Sequence, residues 1–330
     1  MNGVSIIVCC YNSADRIGYV LKHLALQKNI HFPLEIILID NNSSDLTGDI
    51  VLSEWKALGT PFKLIVEKEP KPGLSNARNK GLAMSNYDIV IFCDDDNWLC
   101  DTYVEKAFFL MDKQLDVAII GGCGEPYFEV SPPDEVVLHI EQYAVGPQAS
   151  QSGDVTQTKG YVYGAGIVVR KKFFVELYEK GFTFTLEGRK GNVLTSGEDY
   201  ELCQAMILAG HKIYYEQTLE FKHYLTKGRL NLEYLIKMNE GFGYSFAFLY
   251  PYIYLSATEN YSESKSYSYI LFKQVCRTIM KACVTIAGKR SFDSKLKWRV
   301  EYSILKSLLI NRHTIAKLCR DLPLQTWIKK

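Results

Sequence analysis

Through its first 121 residues the chain alternates short, continuous apolar runs with segments of helical periodicity, and few folds accept that pattern. Val4–Cys10 and residues 34–39, 62–66, 89–93 and 117–121 read as strands buried on both faces. Residues 14–27, 46–58, 74–85 and 103–114 read as the helices between them. Buried strands separated by helices predict an α/β fold around a mostly parallel central sheet. Sheets of this kind take their ligands beyond the carboxyl ends of the strands. The polar clusters after the first, second and fourth strands are therefore the candidate site.

The pattern then changes. Residues 125–160 are polar and aperiodic and read as loops around a short helix, followed by a strand over 161–169 and a helix over 172–179. A glycine-rich loop leads into a helix over 198–209, and residues 212–216 form the last strand. From residue 232 onward only helices are expected: 232–248, 267–287, 294–311 and a short terminal one. The natural division is 1–230 for an α/β domain and 231–330 for a basic, aromatic-rich helical extension.

Charge follows the same division. The chain holds 38 Lys/Arg against 37 Asp/Glu, which argues against a nucleic-acid partner. From residue 265 onward, however, fifteen Lys/Arg face three Asp/Glu, so an acidic body carries a basic tail. Hydrophobic residues at 47% and charged residues at 23% exclude disordered and fibrous classes. Nine cysteines, an odd number with no Cys-x-x-Cys pair, fit reduced thiols better than a disulfide framework or a zinc site. No signal-peptide pattern opens the sequence, and the uncharged stretch 241–258 contains Pro251, so a cytoplasmic protein without a spanning helix is expected.

Two acidic clusters carry chemistry. Asp94-Asp95-Asp96 are consecutive carboxylates at the exit of a buried strand, where they repel one another unless something neutralises them. An oxygen-loving divalent cation with a phosphate-bearing ligand would do so, whereas a solvated turn capping a helix would leave the repulsion in place. Glu198-Asp199 opens an amphipathic helix. Asp199 there suits a general base and Glu198 a hydrogen-bond partner for a polar substrate, although helix-dipole complementarity also explains acids at that end.

With these clusters in place, the chain resembles the inverting glycosyltransferases of family 2, which have the nucleotide-diphospho-sugar transferase (GT-A) fold. The opening Ser5-Ile6-Ile7-Val8-Cys9-Cys10-Tyr11-Asn12 resembles that family's first strand and Tyr-Asn signature. Ile39-Asp40-Asn41-Asn42-Ser43-Ser44-Asp45 is similar to its acidic turn, and Gly73 to Gly81 is similar to its Ala-Arg-Asn helix. Asp94-Asp95-Asp96 stands at the Asp-x-Asp position and Glu198-Asp199 at the Glu-Asp position. Each motif alone is weak, but their order over residues 3–230 is specific. Two departures are Cys10, where threonine is frequent, and Asn41-Asn42, where an acidic-glycine pair is commoner.

The resemblance implies a role for each motif. Tyr11 would stack on a nucleotide base, Asp40 would hydrogen-bond it, and Arg78, Asp94 and Asp95 would help hold the nucleotide of a UDP-sugar donor. Asp96 would ligate Mg²⁺ or Mn²⁺, with His223 as an additional metal or diphosphate ligand. Asp199 would deprotonate an acceptor hydroxyl on a glycan or lipid-linked glycan in surface polysaccharide synthesis, with Glu198 and Trp98 contacting the acceptor. A nucleotidyltransferase of the same fold would need a Gly-x-Gly-Thr-Arg loop where Cys10-Tyr11-Asn12-Ser13 stands. A non-catalytic sugar-nucleotide or membrane-surface binding protein would tolerate loss of Asp199. A dehydrogenase would need Gly-x-Gly-x-x-Gly after a strand, which is lacking.

The tail suggests a further partner. Its helical faces combine apolar positions with Lys and Arg, and the aromatic stretch 242–254 precedes them. Peripheral attachment to an anionic cytoplasmic membrane surface through residues after about 240 is one expectation. Packing on the catalytic domain or on a second subunit, as a homo-oligomer, is the other.

Overall fold

The computed structural model describes residues 3–186, 188, 196–258, 265–287 and 291–329. The first half follows the strand–helix alternation: β1 (Val4–Cys10), α1 (Ile17–Ala25), β2 (Leu34–Asp40), α2 (Thr47–Ala57), β3 (Lys63–Lys68), α3 (Leu74–Met84) and β4 (Ile89–Asp94). A short β5 (Asn97–Leu99), α4 (Tyr103–Lys113) and β6 (Val117–Phe128) come next. After α5 (Asp134–Val137) and β7 (Gly153–Asp154), the chain forms β8 (Val168–Arg170), α6 (Lys171–Glu179), α7 (Glu198–Leu208) and β9 (Lys212–Leu225). Helices α8 (Leu232–Ser256), α9 (Tyr267–Ala287), α10 (Phe292–Ile310) and α11 (Arg312–Asp321) complete it.

All strands join one sheet in the order β3-β2-β1-β4-β8-β6-β9-β5, with β7 on β9. Pairing is parallel among β3, β2, β1 and β4 and between β6 and β9. It is antiparallel at β4–β8, β6–β8, β5–β9 and β7–β9. Antiparallel pairing enters with the short strands β5, β7 and β8. Both β6 and β9 run well past the short strands expected from their apolar runs, so His223 lies inside β9 rather than after it. The strand expected over 161–169 shrinks to β8, because Gly166 takes φ +65° and the chain turns there.

Register brings the candidate residues together. Cys10 of β1 pairs with Asp40 of β2, and Cys9 pairs with Asp94 of β4, so three polar turns emerge side by side at one sheet edge. Helix α3 packs directly on β1 at Gly81, where a Cβ would stand well inside van der Waals contact with Ile7 Cγ2. We expect Gly81→Ala to destabilise the protein by about 1–3 kcal/mol through overpacking, despite alanine's better helix propensity. A lowered denaturant midpoint would show it; an unchanged one would mean that α3 shifts freely on the sheet.

The chain clusters into two compact units. The first holds the sheet: Met1–Ser131, His139–Glu176 and His211–Lys227. The second is helical: Pro132–Leu138, Leu177–Gly210 and Gly228–Lys330. This differs from a division at residue 230, because α7 with its Glu198-Asp199 pair clusters with the C-terminal helices.

In the helical unit, α8 is the central element. It continues through Pro251 to Ser256, past the end expected near 248, and no residue from Phe242 to Tyr254 is exposed. The aromatic stretch expected at a membrane boundary is therefore core, packed with Ile270, Ile304, Leu308 and Ile315. Small residues set the α8–α10 spacing: Ser303 Oγ donates to the Glu240 carbonyl at 2.7 Å and Ser307 Oγ to that of Tyr244 at 2.8 Å.

Candidate functional site

The turn after β1 is held by its own polar side chains. The Ser13 amide donates to Thr47 Oγ1 at 2.8 Å, and the Asn12 amide donates to Ser43 Oγ at 3.0 Å. That bonding leaves Tyr11 projecting, 54% exposed, at the edge where β1 and β2 end. Asp40, almost fully buried, accepts the Ser43 amide at 3.0 Å.

The Asn41-Asn42 departure has a physical reason. Asn42 takes φ +61°, the left-handed region that asparagine tolerates better than other residues with a side chain, so it occupies a position suited to glycine. Asn41 ties neighbouring segments together: its amide nitrogen donates to the carbonyls of Glu69 and Lys71 at 3.1 and 2.7 Å, and its carbonyl oxygen accepts the Gly73 amide at 2.8 Å. These bonds fix the entry to α3 and hence Arg78. The Arg78 guanidinium lies 3.3 Å from Asp94 Oδ1 and over the Phe92 ring.

The three consecutive aspartates take three directions. Asp94 meets Arg78. Asp95 turns inward, where its carboxylate accepts from Ser13 Oγ and pairs with Arg16 Nη2 at 2.7 Å. Burial, then the neighbouring Asp96, pushes the Asp95 carboxyl up to about 6, with Arg16 opposing. The nucleotide-binding role expected of Asp95 does not fit this placement, because its carboxylate is committed to the turn. Arg16, which no motif singled out, also donates to the Asn12 carbonyl at 2.9 Å and closes the loop beneath Tyr11.

Asp96 faces His223. Asn97 pairs with His223 across β5 and β9, and this register sets the imidazole Nε2 3.4 Å from Asp96 Oδ2. Asn97 Nδ2 donates to Asp96 Oδ1 at 3.0 Å and orients the carboxylate. Among the described residues no three His, Cys, Asp or Glu side chains converge into a metal cage. The Asp96–His223 pair is a two-donor set, oxygen and nitrogen. That set suits a cation such as Mg²⁺ or Mn²⁺, which takes its remaining ligands from substrate phosphates and water.

Trp98 is placed differently from expectation. It is 6% exposed and packed by the rings of Tyr19, His23, Tyr127 and Tyr224 at centroid distances of 4.7 to 5.6 Å. As a neighbour of Asn97 on a strand it points to the opposite sheet face. It anchors the β5 edge and cannot offer a face to an acceptor sugar.

Glu198 and Asp199 belong to the helical unit, at the start of α7 behind Gly197 with φ +123°. The glycine-rich loop expected ahead of them lies largely outside the described residues. Its stem is held by Glu201, fully buried and one helical turn along. The Glu201 carboxylate accepts the amides of Thr185 and Leu186 at 2.9 and 3.0 Å and the Tyr252 hydroxyl at 2.9 Å. Burial pushes this carboxyl up, against the hydrogen bonds from Thr185, Leu186 and Tyr252 that favour its charged form. Sequence reasoning passed over Glu201 because an acid in a helical first turn looks like ordinary dipole complementarity.

Comparison with known proteins bears on the family and the fold. The family model "Glycosyl transferase family 2" matches residues 5–177. "Probable glycosyltransferase YdaM" of Bacillus subtilis is 37% identical over 99 residues, covering 28% of this chain and 23% of that one. The chain thus spans less than a quarter of that relative. "Glucosyl-dolichyl phosphate glucuronosyltransferase" of Haloferax volcanii is 23% identical over 236 residues, 71% of this chain and 72% of the other. Among solved structures, S. aureus TarS 1-349 in complex with UDP-GlcNAc superposes with TM-score 0.55 at 15% identity, covering 98% of this chain and 90% of that one. The mixed sheet with its flanking helices is the GT-A fold. With the family model covering more than half of its length, the chain belongs to glycosyltransferase family 2.

Proposed function

We propose that the protein transfers a sugar from a UDP-sugar to a hydroxyl of a glycan or lipid-linked glycan, with inversion, in surface polysaccharide synthesis. The observation that carries this reading is the alignment of Tyr11, Asp40, Arg78–Asp94 and Asp96–His223 at one sheet edge. UDP-GlcNAc in the TarS structure supports a uridine donor. The exposed Tyr11 ring serves as a stacking platform for the base, and Asp40 accepts from its N–H. Arg78 holds Asp94 in place beside the ribose and adds positive charge next to the diphosphate. Asp96 and His223 would hold Mg²⁺ or Mn²⁺, which would supply charge neutralisation for the diphosphate leaving group.

Asp199 removes the proton of the acceptor hydroxyl as that oxygen attacks the anomeric carbon opposite the departing diphosphate, which inverts its configuration. Glu198 accepts a hydrogen bond from a second acceptor hydroxyl. A donor panel read by nucleoside diphosphate release tests the proposal, with Mn²⁺ present or chelated and with glycan acceptor present or absent. We expect release from a UDP-sugar that requires the cation and rises with acceptor. Hydrolysis or transfer from no nucleotide sugar in the panel would reject it.

A further inference from the structure

Helix α9 has its polarity reversed relative to an ordinary surface helix. Its covered side carries Ile270, Gln274 and Thr278. Gln274 Nε2 donates to the Glu301 side chain at 2.7 Å, Gln274 Oε1 accepts from Tyr250 at 3.0 Å, and Thr278 Oγ1 donates to the Gln274 carbonyl at 2.9 Å. Its open side carries Phe272, Ile279, Met280, Val284 and Ile286, each between 55% and 70% exposed. At helical spacing Phe272, Ile279, Met280 and Val284 share one face, with the exposed Cys276 and Cys283 filling the gaps. Lys273 is exposed beside that face, and Arg277 and Lys281, both half-buried, follow it at four-residue intervals towards the covered side, where Arg277 Nη1 donates to the Tyr250 hydroxyl at 3.0 Å. No Asp or Glu occurs anywhere in the 21 residues of the helix.

We infer that this face of α9 docks on an anionic lipid surface, with its apolar stripe among the acyl chains and its cationic border among the headgroups. An apolar stripe left in water is unfavourable, so a partner is required. Charge selects which one. Two copies of the chain joined through this stripe would bring Lys273, Arg277 and Lys281 near their own counterparts, with no acid on either helix to receive them. An anionic headgroup layer receives the exposed Lys273 and the net positive charge of the helix, and a helix with one apolar face, a cationic flank and no acid is suited to lie in that plane. No helix among the described residues is long and apolar enough to cross a membrane, so the contact is with one surface. The surface differs from the Phe242–Tyr254 stretch that sequence alone suggested, since that stretch is core.

Vesicle co-sedimentation of the full chain, with light scattering in parallel, tests the inference. Vesicles of phosphatidylcholine alone should leave the protein in the supernatant, and adding phosphatidylglycerol should pellet it. Ile279→Glu with Val284→Glu should weaken that partitioning by about tenfold or more, and Lys273→Glu with Lys281→Glu should weaken it with a reduced salt dependence. These side chains are exposed or border the exposed face, and circular dichroism confirms that each variant is folded. Equal sedimentation of wild type and Ile279→Glu/Val284→Glu would overturn the inference. So would a wild-type dimer that ignores lipid and becomes monomeric in that variant. Partitioning needs neither donor nor acceptor, so its result is separate from that of the transfer assay.

Discussion

Asp199→Asn should reduce turnover by about 10²–10⁴-fold, the usual contribution of a positioned general base, while UDP binding stays near its wild-type affinity. Asparagine keeps the oxygen that accepts the Tyr200 amide at 2.9 Å, so the start of α7 is preserved. What it loses is the ability to take a proton. An acid in the first helical turn also complements the dipole by about 0.3–1 kcal/mol, so a small drop in melting temperature is expected as well. The two effects separate cleanly, because unfolding cannot account for a loss of about 10² in rate while the fold remains fully populated. Isothermal titration with UDP and initial rates on one preparation provide the check. Near-normal transfer by the variant would place the base elsewhere.

The second large effect concerns Asp96. In Mn²⁺, Asp96→Asn should weaken UDP binding by about 10–100-fold or more, since a lost ligand costs at least what a lost supporting contact does. Chelation with EDTA should bring the wild-type protein to the same weak affinity and leave the variant little changed. His223→Ala should fall between the two, because the imidazole is the second donor of the pair. If wild type binds UDP equally well with EDTA and with Mn²⁺, the cation has no part in holding the nucleotide.

Much of the sheet unit was legible because its signal is local. Five strands and the helices between them follow from apolar periodicity, and β1 spans Val4–Cys10 as read, but β3 lies at the sheet's end with no fully buried residue rather than buried on both faces. What could not be read depends on pairing between distant segments. Strand β5 has only three residues and exists because β9 lies beside it. The inward turn of Asp95 depends on Arg16, 79 residues away, and nothing in Asp94-Asp95-Asp96 distinguishes the middle carboxylate from its neighbours. Trp98 next to an acidic cluster looks like a sugar platform until its four neighbouring rings are assembled from α1, β6 and β9. In α8 the aromatic run resembles an interfacial belt, but an all-round apolar helix is equally the centre of a bundle, and only packing decides between them.

The order of the sheet also bears on how the protein behaves at high concentration. An open sheet has two ends, and each exposes a row of unpaired backbone groups able to recruit a strand from another molecule. Here one end is β3, whose exposed positions are Lys63, Glu67 and Lys68. The other is β5, too short to template more than a residue or two and shielded by the ring stack on Trp98. Charge guards one margin and brevity the other. A nine-stranded sheet that would otherwise invite fibrillar stacking therefore ends in margins that discourage it, so aggregation should begin from unfolded chains rather than from native ones.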